Sequence, residues 1–154
     1  MKRLAIFCVA LCAILAVNSC DDDEEDFTTV ELDSYIVGSW KAYQVVLYDG
    51  NTEKSTSNIG KTGRNADIYV EMDFQSDKAT SLRLWEKDAE GVKQWTTYNG
   101  TYSIIGRSKD VVLTIFKTGT AQYQFDRQSG MLYRDYGTFE KPDYTAKIYY
   151  KKDK

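Results

Sequence analysis

The stretch Ile68-Tyr69-Val70-Glu71-Met72-Asp73-Phe74-Gln75 alternates between apolar side chains and more polar ones along its whole length. Successive side chains of a β-strand point to opposite faces, so this alternation gathers the apolar groups on one side. The even-numbered positions form the apolar face, and the odd-numbered positions form a solvated one. The stretch therefore predicts a half-buried strand, from which the rest of the fold can be worked out.

Similar short runs, rich in Val, Ile, Tyr, Phe, Trp and Thr, recur on both sides of this stretch from Gly38 onward and are separated by turn residues. No helical periodicity extends along this region. Closing a sheet on itself removes exposed strand edges, so the pattern predicts an all-β antiparallel meander closed into a barrel of about eight strands. The predicted strands lie near residues 38–49, 67–75, 79–87, 92–98, 101–105, 111–117, 121–126, 131–136 and 144–152.

Turn residues predict the connections between several of these strands. Asn99-Gly100 is a strong hairpin signal and predicts a turn between the fourth and fifth runs. The segments 106–110 and 128–130 are turns by composition. The polar stretch Gly50 to Asn65, which carries Ser, Thr, Asn, Gly and Lys, predicts a mobile loop.

The segment Asp88-Ala89-Glu90-Gly91 fits a type I turn followed by a left-handed glycine. In that register the numbers of paired residues sum to 180, so Trp85 faces Trp95. The two rings share the outer face with Arg83, and together they are a candidate platform for a sugar ring or a partner side chain. The alternative interpretation is that the rings only stabilise the hairpin.

The amino-terminal segment has the pattern of an export signal. Lys2 and Arg3 precede an uncharged, mostly apolar run that is too short to span a bilayer and ends at Val17-Asn18-Ser19-Cys20. Small residues before a Cys resemble the lipobox of bacterial lipoproteins. The resemblance implies that residues 1–19 are a lipoprotein signal peptide and that Cys20 is the lipid attachment site. A plain secretory signal and a retained membrane helix are the alternatives.

Charge is concentrated directly after Cys20, in the unbroken acidic run Asp21 to Asp26. Such a run repels itself and stays solvated, so residues 20–35 are predicted to form a flexible tether that carries the lipid. An acidic stretch in this position also resembles the export signal of Bacteroidota-type surface lipoproteins. That resemblance implies an outer-membrane location facing the cell exterior. The chain has no basic patch, so no nucleic-acid partner is predicted.

A second resemblance concerns the barrel itself. Gly38-Ser39-Trp40 opens the first predicted strand, and Trp95, Gly100, Tyr102 and Ile104 precede the strand near 111–117. These positions resemble the small lipocalin-like domains of such lipoproteins, and the resemblance covers roughly residues 36–152. It implies that residues 36–154 form a lipocalin-like barrel in which Trp40 closes one end. In lipocalins this Trp packs under an Arg of the last strand, where the present chain offers Lys147.

The residue inventory argues against catalysis. The chain has no His, and its three Cys all lie at or before position 20, which excludes His-based triads and His or Cys zinc sites in the barrel. Glu71 and Asp73 share a strand face as a glycosidase pair would, but that face is the polar one and is interpreted as solvated. We therefore predict no enzyme, no cofactor and no metal.

The remaining function is binding, and the barrel interior is the first candidate site. The predicted function is an anchored, monomeric, non-catalytic barrel that binds a small apolar or amphipathic ligand. Two alternatives stay open: a surface module that binds a glycan or protein through outward aromatics, and an accessory or inhibitor subunit. The candidate binding residues are Tyr48, Met72, Tyr102 and Tyr123 inside the barrel and Trp85, Trp95 and Arg83 outside it. The full set of predicted inward residues is Val46, Tyr48, Met72, Phe74, Leu84, Tyr102, Ile104, Leu113, Ile115, Tyr123 and Phe125.

Overall fold

The computed structural model of the protein describes residues 26–139 and 141–154. These residues form nine strands, a one-turn α-helix and a short 3-10 helix at Ala66–Ile68. In chain order the other elements are α1 (Leu32–Tyr35), β1 (Gly38–Asp49), β2 (Thr52–Asn58), β3 (Val70–Phe74), β4 (Ala79–Lys87), β5 (Lys93–Ile105), β6 (Val111–Phe116), β7 (Gly119–Asp126), β8 (Met131–Phe139) and β9 (Lys141–Lys152). Within these two ranges, no helix has the length and apolarity to cross a membrane.

The strands form one antiparallel sheet in the order β2-β1-β3-β4-β5-β6-β7-β8-β9, and β9 pairs back with β1. Eight strands, β1 and β3 to β9, therefore make a closed barrel, and β2 is an additional strand paired with β1. The first residues of β1 pair with β3, and its second half pairs with β2. This architecture confirms the predicted all-β antiparallel barrel of about eight strands.

The predicted turn at Asn99-Gly100 is wrong, because β5 runs through it without interruption. Gly100 does not adopt a left-handed conformation. A Cβ atom at this position would lie 2.2 Å from the carbonyl oxygen of Ile115 and 2.6 Å from Cδ1 of Phe116. The glycine therefore permits the close approach of β6 rather than a reversal of the chain.

The predicted mobile loop at 50–65 is partly a strand. Residues Thr52–Asn58 form β2, whose seven polar side chains are all exposed. Strand pairing is made by backbone groups, so a fully polar segment can extend a sheet without contributing to the core. After β2 the chain is held in place by two buried residues, Ile59 and Asn65. The side-chain Nδ2 of Asn65 donates to the carbonyl oxygen of Asn58 at 2.9 Å.

Trp40 is completely buried at one end of the barrel, as the sequence predicts. Its indole Nε1 donates to the carbonyl oxygen of Ile36 at 2.8 Å, and its ring meets Tyr35 edge to face with centroids 5.9 Å apart. The residue of the last strand that pairs with Trp40 is Lys152. Lys147, the cation named by the family resemblance, pairs with Val46 instead.

Four residues that the sequence places inside the barrel lie on its outer face. Val46 and Tyr48 are turned outward by a bulge in β1 between Ala42 and Gln44, which brings Val45 and Leu47 into the core instead. In β6, the inward positions are taken by Val112 and Thr114, so Leu113 and Ile115 face outward. Thr114 is tolerated inside because its hydroxyl donates to the carbonyl oxygen of Ala121 at 3.2 Å.

Residues 27–36 pack against the Trp40 end of the barrel. Leu32 and Ile36 are buried, and the ring of Phe27 contacts Tyr35 with centroids 5.6 Å apart. Directly after β7, the guanidinium of Arg127 donates to the backbone carbonyls of Phe27, Thr28 and Val30.

This packing corrects the predicted tether of residues 20–35 for its second half. The tether is predicted from the acidic run Asp21 to Asp26, and the apolar residues that follow that run are included in the same segment. The signal segment 1–19, the lipid attachment residue Cys20 and residues 21–25 lie outside the described residues.

Candidate functional site

A cavity of about 290 Å³ lies inside the barrel at the end opposite Trp40. The start of β3 and the end of β4 form one wall, with Val70 and Leu84 paired across the two strands. Strands β7, β8 and β9 form the other wall. Most of the lining is apolar or aromatic, and inside the barrel it includes Leu82, Leu84, Tyr123, Tyr136, Ile148 and Tyr150.

The floor of the cavity is an aromatic pair. The buried rings of Tyr123 and Tyr150 meet edge to face with centroids 5.4 Å apart. Beyond them the barrel is filled as far as Trp40 by packed side chains such as Leu132 and Val112. The barrel is thus solid in one half and hollow in the other.

The predicted interior site residues separate into three locations. Tyr123 lines the cavity. Met72 and Tyr102 are buried in the filled half, where Tyr102 packs against Phe74 and its hydroxyl donates to the carbonyl oxygen of Gln75 at 2.8 Å. Tyr48 lies on the outer face, with the ammonium of Lys147 5.3 Å from its ring centroid.

One cation, Arg134 of β8, reaches the cavity wall. Burial raises the pKa of the Tyr123 hydroxyl, and the neighbouring Arg134 opposes that increase. Two acidic residues, Asp67 and Glu86, also lie at the cavity. Both are engaged elsewhere: Asp67 forms an ion pair with Lys93, and Glu86 accepts a hydrogen bond from the Tyr98 hydroxyl at 2.6 Å. The cavity therefore combines an apolar lining with one cation, Arg134, and with two carboxylates that contact groups other than Arg134.

The wall of the barrel is incomplete beside Arg134. Strands β7 and β8 pair only from Gln124↔Tyr133 to Asp126↔Met131, so residues 119–123 and 134–139 are not paired with each other. A bulge in β8 near Tyr136, followed by Gly137 in the left-handed region, bends the strand away. A groove of about 370 Å³ occupies the gap between the two strands, and Arg134 contributes to its wall.

A larger groove of about 660 Å³ lies at the Trp40 end, between residues 28–33 and the loop 107–110. Its walls are mainly polar. Arg127 and Asp110, which face each other there, form an ion pair at 2.7 Å. Because its lining is mainly polar and carries several charged side chains, this groove is less suited to an apolar ligand than the smaller barrel cavity.

The predicted Trp85–Trp95 pairing is confirmed. The register pairs Trp85 with Trp95 and Lys87 with Lys93, and the two indole centroids are 5.2 Å apart. The turn has the expected geometry, because the Asp88 backbone amide donates to Val92 and Gly91 has a φ of 81°. The structure thus brings Trp85, Trp95 and Arg83 together on the outer face.

The Trp95 ring of this pair is covered by side chains of the protein itself. The guanidinium of Arg83 lies 4.8 Å from the Trp95 ring centroid, and the ammonium of Lys61 lies 5.4 Å from it. Glu71 holds both cations, at 2.9 Å from Lys61 and 3.3 Å from Arg83. A ring covered by two paired cations is a poor platform for a sugar, so the geometry favours the alternative interpretation, in which the pair stabilises the hairpin.

Glu71 is the centre of this outer cluster. Its pKa is lowered because hydrogen bonds from Lys61 and the Tyr69 hydroxyl outweigh the opposing effect of partial burial. Burial and the bond to Glu71 together raise the pKa of Tyr69 to about 12. Asp73, the other member of the carboxylate pair, accepts a hydrogen bond from the Ser39 hydroxyl at 3.0 Å. The two carboxylates are therefore engaged in separate structural contacts.

Sequence reasoning missed several cavity residues, namely Tyr136, Ile148, Tyr150 and the charged Arg134. A signal for Arg134 was present, because it follows the apolar Leu132 by two positions in a predicted strand and therefore belongs on the same face. The gap between β7 and β8 beside Arg134 is not indicated by any comparable pattern in the local sequence.

No family model, curated protein or solved structure matches this chain. Among the described residues, no group of three or more His, Cys, Asp or Glu side chains is arranged to hold a metal ion.

Proposed function

We propose that this protein is a non-catalytic binding barrel, held at the outer membrane by a lipid on Cys20, that takes up a small apolar or amphipathic ligand. The observation that carries the proposal is the cavity of about 290 Å³ at the end opposite Trp40. It is close to the lower end of the size range of small-molecule sites, which is roughly 300–1,000 Å³, and has their typical lining of apolar and aromatic side chains with a few polar groups.

Binding is tested with octanamide, a neutral amphiphile, by calorimetric titration. We expect saturable binding that is lost in Leu84→Phe, because the larger ring fills the cavity. Leu113→Phe is the matched control, since Leu113 lies on the outer face. Equal binding by wild type and Leu84→Phe would place the ligand elsewhere and remove the support for this site.

The anchor is supported by the sequence pattern that ends at Cys20. We expect Cys20→Ala to move the protein from the membrane fraction into a soluble or unprocessed form. Protease added to intact cells should degrade the anchored wild-type protein if it faces the exterior. A Cys20→Ala chain that is processed and still sediments with membranes would contradict lipid attachment at this residue.

A second candidate, recognition of a glycan or protein by outward aromatics, is favoured by a cluster around Lys147. The ammonium of Lys147 lies 5.3 Å from the Tyr48 ring centroid and 4.9 Å from that of Tyr133, and Tyr133 packs against Tyr149 at 5.6 Å. Replacing Tyr133 with Ala should then abolish capture of the surface partner while leaving octanamide binding unchanged. Loss of both activities would indicate general damage to the barrel.

A further inference from the structure

We infer that the ligand of the barrel cavity is a small monocarboxylate and that Arg134 binds its carboxylate at the gap between β7 and β8. The inference rests on the proposed ligand-binding function and names the chemical class of ligand. It follows from the position of one cation at the junction of an apolar cavity and an opening in the barrel wall.

The charge of Arg134 has no partner of opposite sign in the part of the chain that the structure describes. No carboxylate there lies within ion-pair distance of its guanidinium. The two acidic residues at the cavity, Asp67 and Glu86, are held by Lys93 and by the Tyr98 hydroxyl. A planar guanidinium offers two parallel N–H donors, which match the two oxygens of a carboxylate.

The tyrosines of the floor reinforce this preference. Tyr123 and Tyr150 line the cavity near Arg134, and burial raises the pKa of both hydroxyls. Both hydroxyls therefore keep their protons at physiological pH and carry no negative charge that would repel an anion. The positive charge of Arg134 is thus balanced by none of the groups that form the floor.

The gap between β7 and β8 lowers the cost of placing a charged group here. A carboxylate buried in an apolar cavity loses its hydration, which is costly unless it is paired or still solvated. Arg134 lines both the cavity and the groove in the gap, so a carboxylate bound to it keeps contact with water. The apolar part of the ligand then points towards Leu82 and Leu84, which line the cavity.

The cavity limits the size of the ligand. With a liquid volume of about 30 Å³ per water molecule, 290 Å³ corresponds to on the order of ten non-hydrogen atoms. Octanoate is a molecule of about this size with an apolar chain and a carboxylate head group. Octanamide and octylamine are its neutral and cationic counterparts. The three compounds therefore test the effect of the head-group charge while the apolar chain stays the same.

The experiment is a calorimetric titration of residues 21–154, which include every described residue, with each of the three compounds at pH 7 and low salt. We expect octanoate to bind about tenfold more tightly than octanamide, because charge-assisted hydrogen bonds contribute more than neutral ones. Arg134→Gln should remove this difference by weakening octanoate binding far more than octanamide binding, and Arg134→Lys should retain part of it. Arg107→Gln, at the opposite end of the barrel, is the control and should change neither affinity.

The outcomes separate the inference from the proposed function. Equal binding of octanoate and octanamide to the wild type, or a preference for octylamine, would overturn the inference that the ligand is a carboxylate. The proposal that the barrel binds a small ligand would still stand. A preference for octanoate that survives in Arg134→Gln would overturn the role of Arg134. Absence of saturable binding by all three compounds would overturn the proposed function, and the inference with it.

Discussion

Gly100 shows how one residue without a side chain fixes the contact between two strands. Its backbone lies so close to β6 that a Cβ atom would meet the carbonyl oxygen of Ile115 at 2.2 Å. Backbone cannot move aside as a flexible side chain can, so any larger residue must shift the β5–β6 ladder. The glycine is therefore required by its neighbour across the sheet and not by its own dihedral angles.

Gly100→Ala is expected to lower the free energy of unfolding by about 1–3 kcal/mol, the usual cost of forcing extra atoms into a packed site. Urea denaturation measures the change. Gly60→Ala is the matched control, because a Cβ there meets only Thr62 at an ordinary 3.6 Å and the residue is not left-handed. A Gly100→Ala protein as stable as the wild type would show that β6 can move without cost.

Trp40→Ala is expected to lower the free energy of unfolding by about 3–5 kcal/mol, since the ring is completely buried and its indole N–H bond to Ile36 is lost as well. The loss is a large part of the stability of a typical domain. Val92→Ala, at a position that is 60% exposed, is the control for a solvent-facing truncation. A loss below about 1 kcal/mol with the fold retained would mean that Trp40 does not close the barrel end.

At the scale of elements, the β4–β5 hairpin could be predicted in register because a local signal sets it. The turn residues Asp88 and Gly91 fix the first pair of the ladder, and every later pair follows from it. The same rule failed at Asn99-Gly100, because the reason for that glycine lies in β6, which is distant in the local pattern. A local sequence pattern such as Asn-Gly predicts a turn, but the same residues can be present for another purpose, such as the close packing of two strands.

The elements that sequence reasoning missed share a dependence on distant partners. Strand β2 carries no apolar alternation, and its pairing is determined by the free edge that β1 offers after it leaves β3. The bulge in β1 that turns Val46 and Tyr48 outward is not marked by any turn residue in the sequence. Of the candidate site, the hairpin pair and Tyr123 could be predicted from strand periodicity, whereas the gap beside Arg134 depends on a bulge in a different ladder.

The backbone carbonyls of the segment 27–36 accept three hydrogen bonds from Arg127. Arg127→Met is expected to lower the free energy of unfolding by about 1.5–3 kcal/mol, because three backbone carbonyls and Asp110 lose a charged donor. Hydrogen exchange should accelerate at the amides of Tyr35 and Ile36. Arg107→Met, an exposed cation on a nearby loop, should leave both measurements unchanged. Unaltered exchange in Arg127→Met would mean that apolar packing alone holds the segment.

At the scale of the whole molecule, tyrosine burial predicts the response to alkaline pH. Burial raises the pKa of five tyrosine hydroxyls, those of Tyr69, Tyr102, Tyr123, Tyr149 and Tyr150. The pKa of Tyr69 is raised to about 12. In the unfolded chain these groups titrate near pH 10. Above that pH the unfolded state releases protons that the folded state keeps, so the contribution is fully present below pH 10 and is lost as pH rises towards 12.

We therefore expect the urea midpoint to be nearly constant from about pH 7 to pH 9, where a chain without His has few titrating groups, and to fall steeply above about pH 10. Tyrosinate absorbance recorded on the same samples should rise together with unfolding. Tyr69→Phe should make the fall shallower. Tyrosinate formation near pH 10 in a barrel that remains folded would contradict the protection of these hydroxyls.

The pairing of β1 with β9 sets an order in time as well as in space. In a chain that emerges amino end first, each pair from β3–β4 to β8–β9 joins consecutive strands and can form as soon as its second member is out. Strand β1 can pair early with β2 and β3, but its other edge must wait for β9, since Trp40 pairs with Lys152 and Asp49 with Tyr144. During that interval its inner face, with Val45 and Leu47, lacks the final covering strand. A holding chaperone that recognises extended apolar segments would find its target there, and arrival of β9 would time its release.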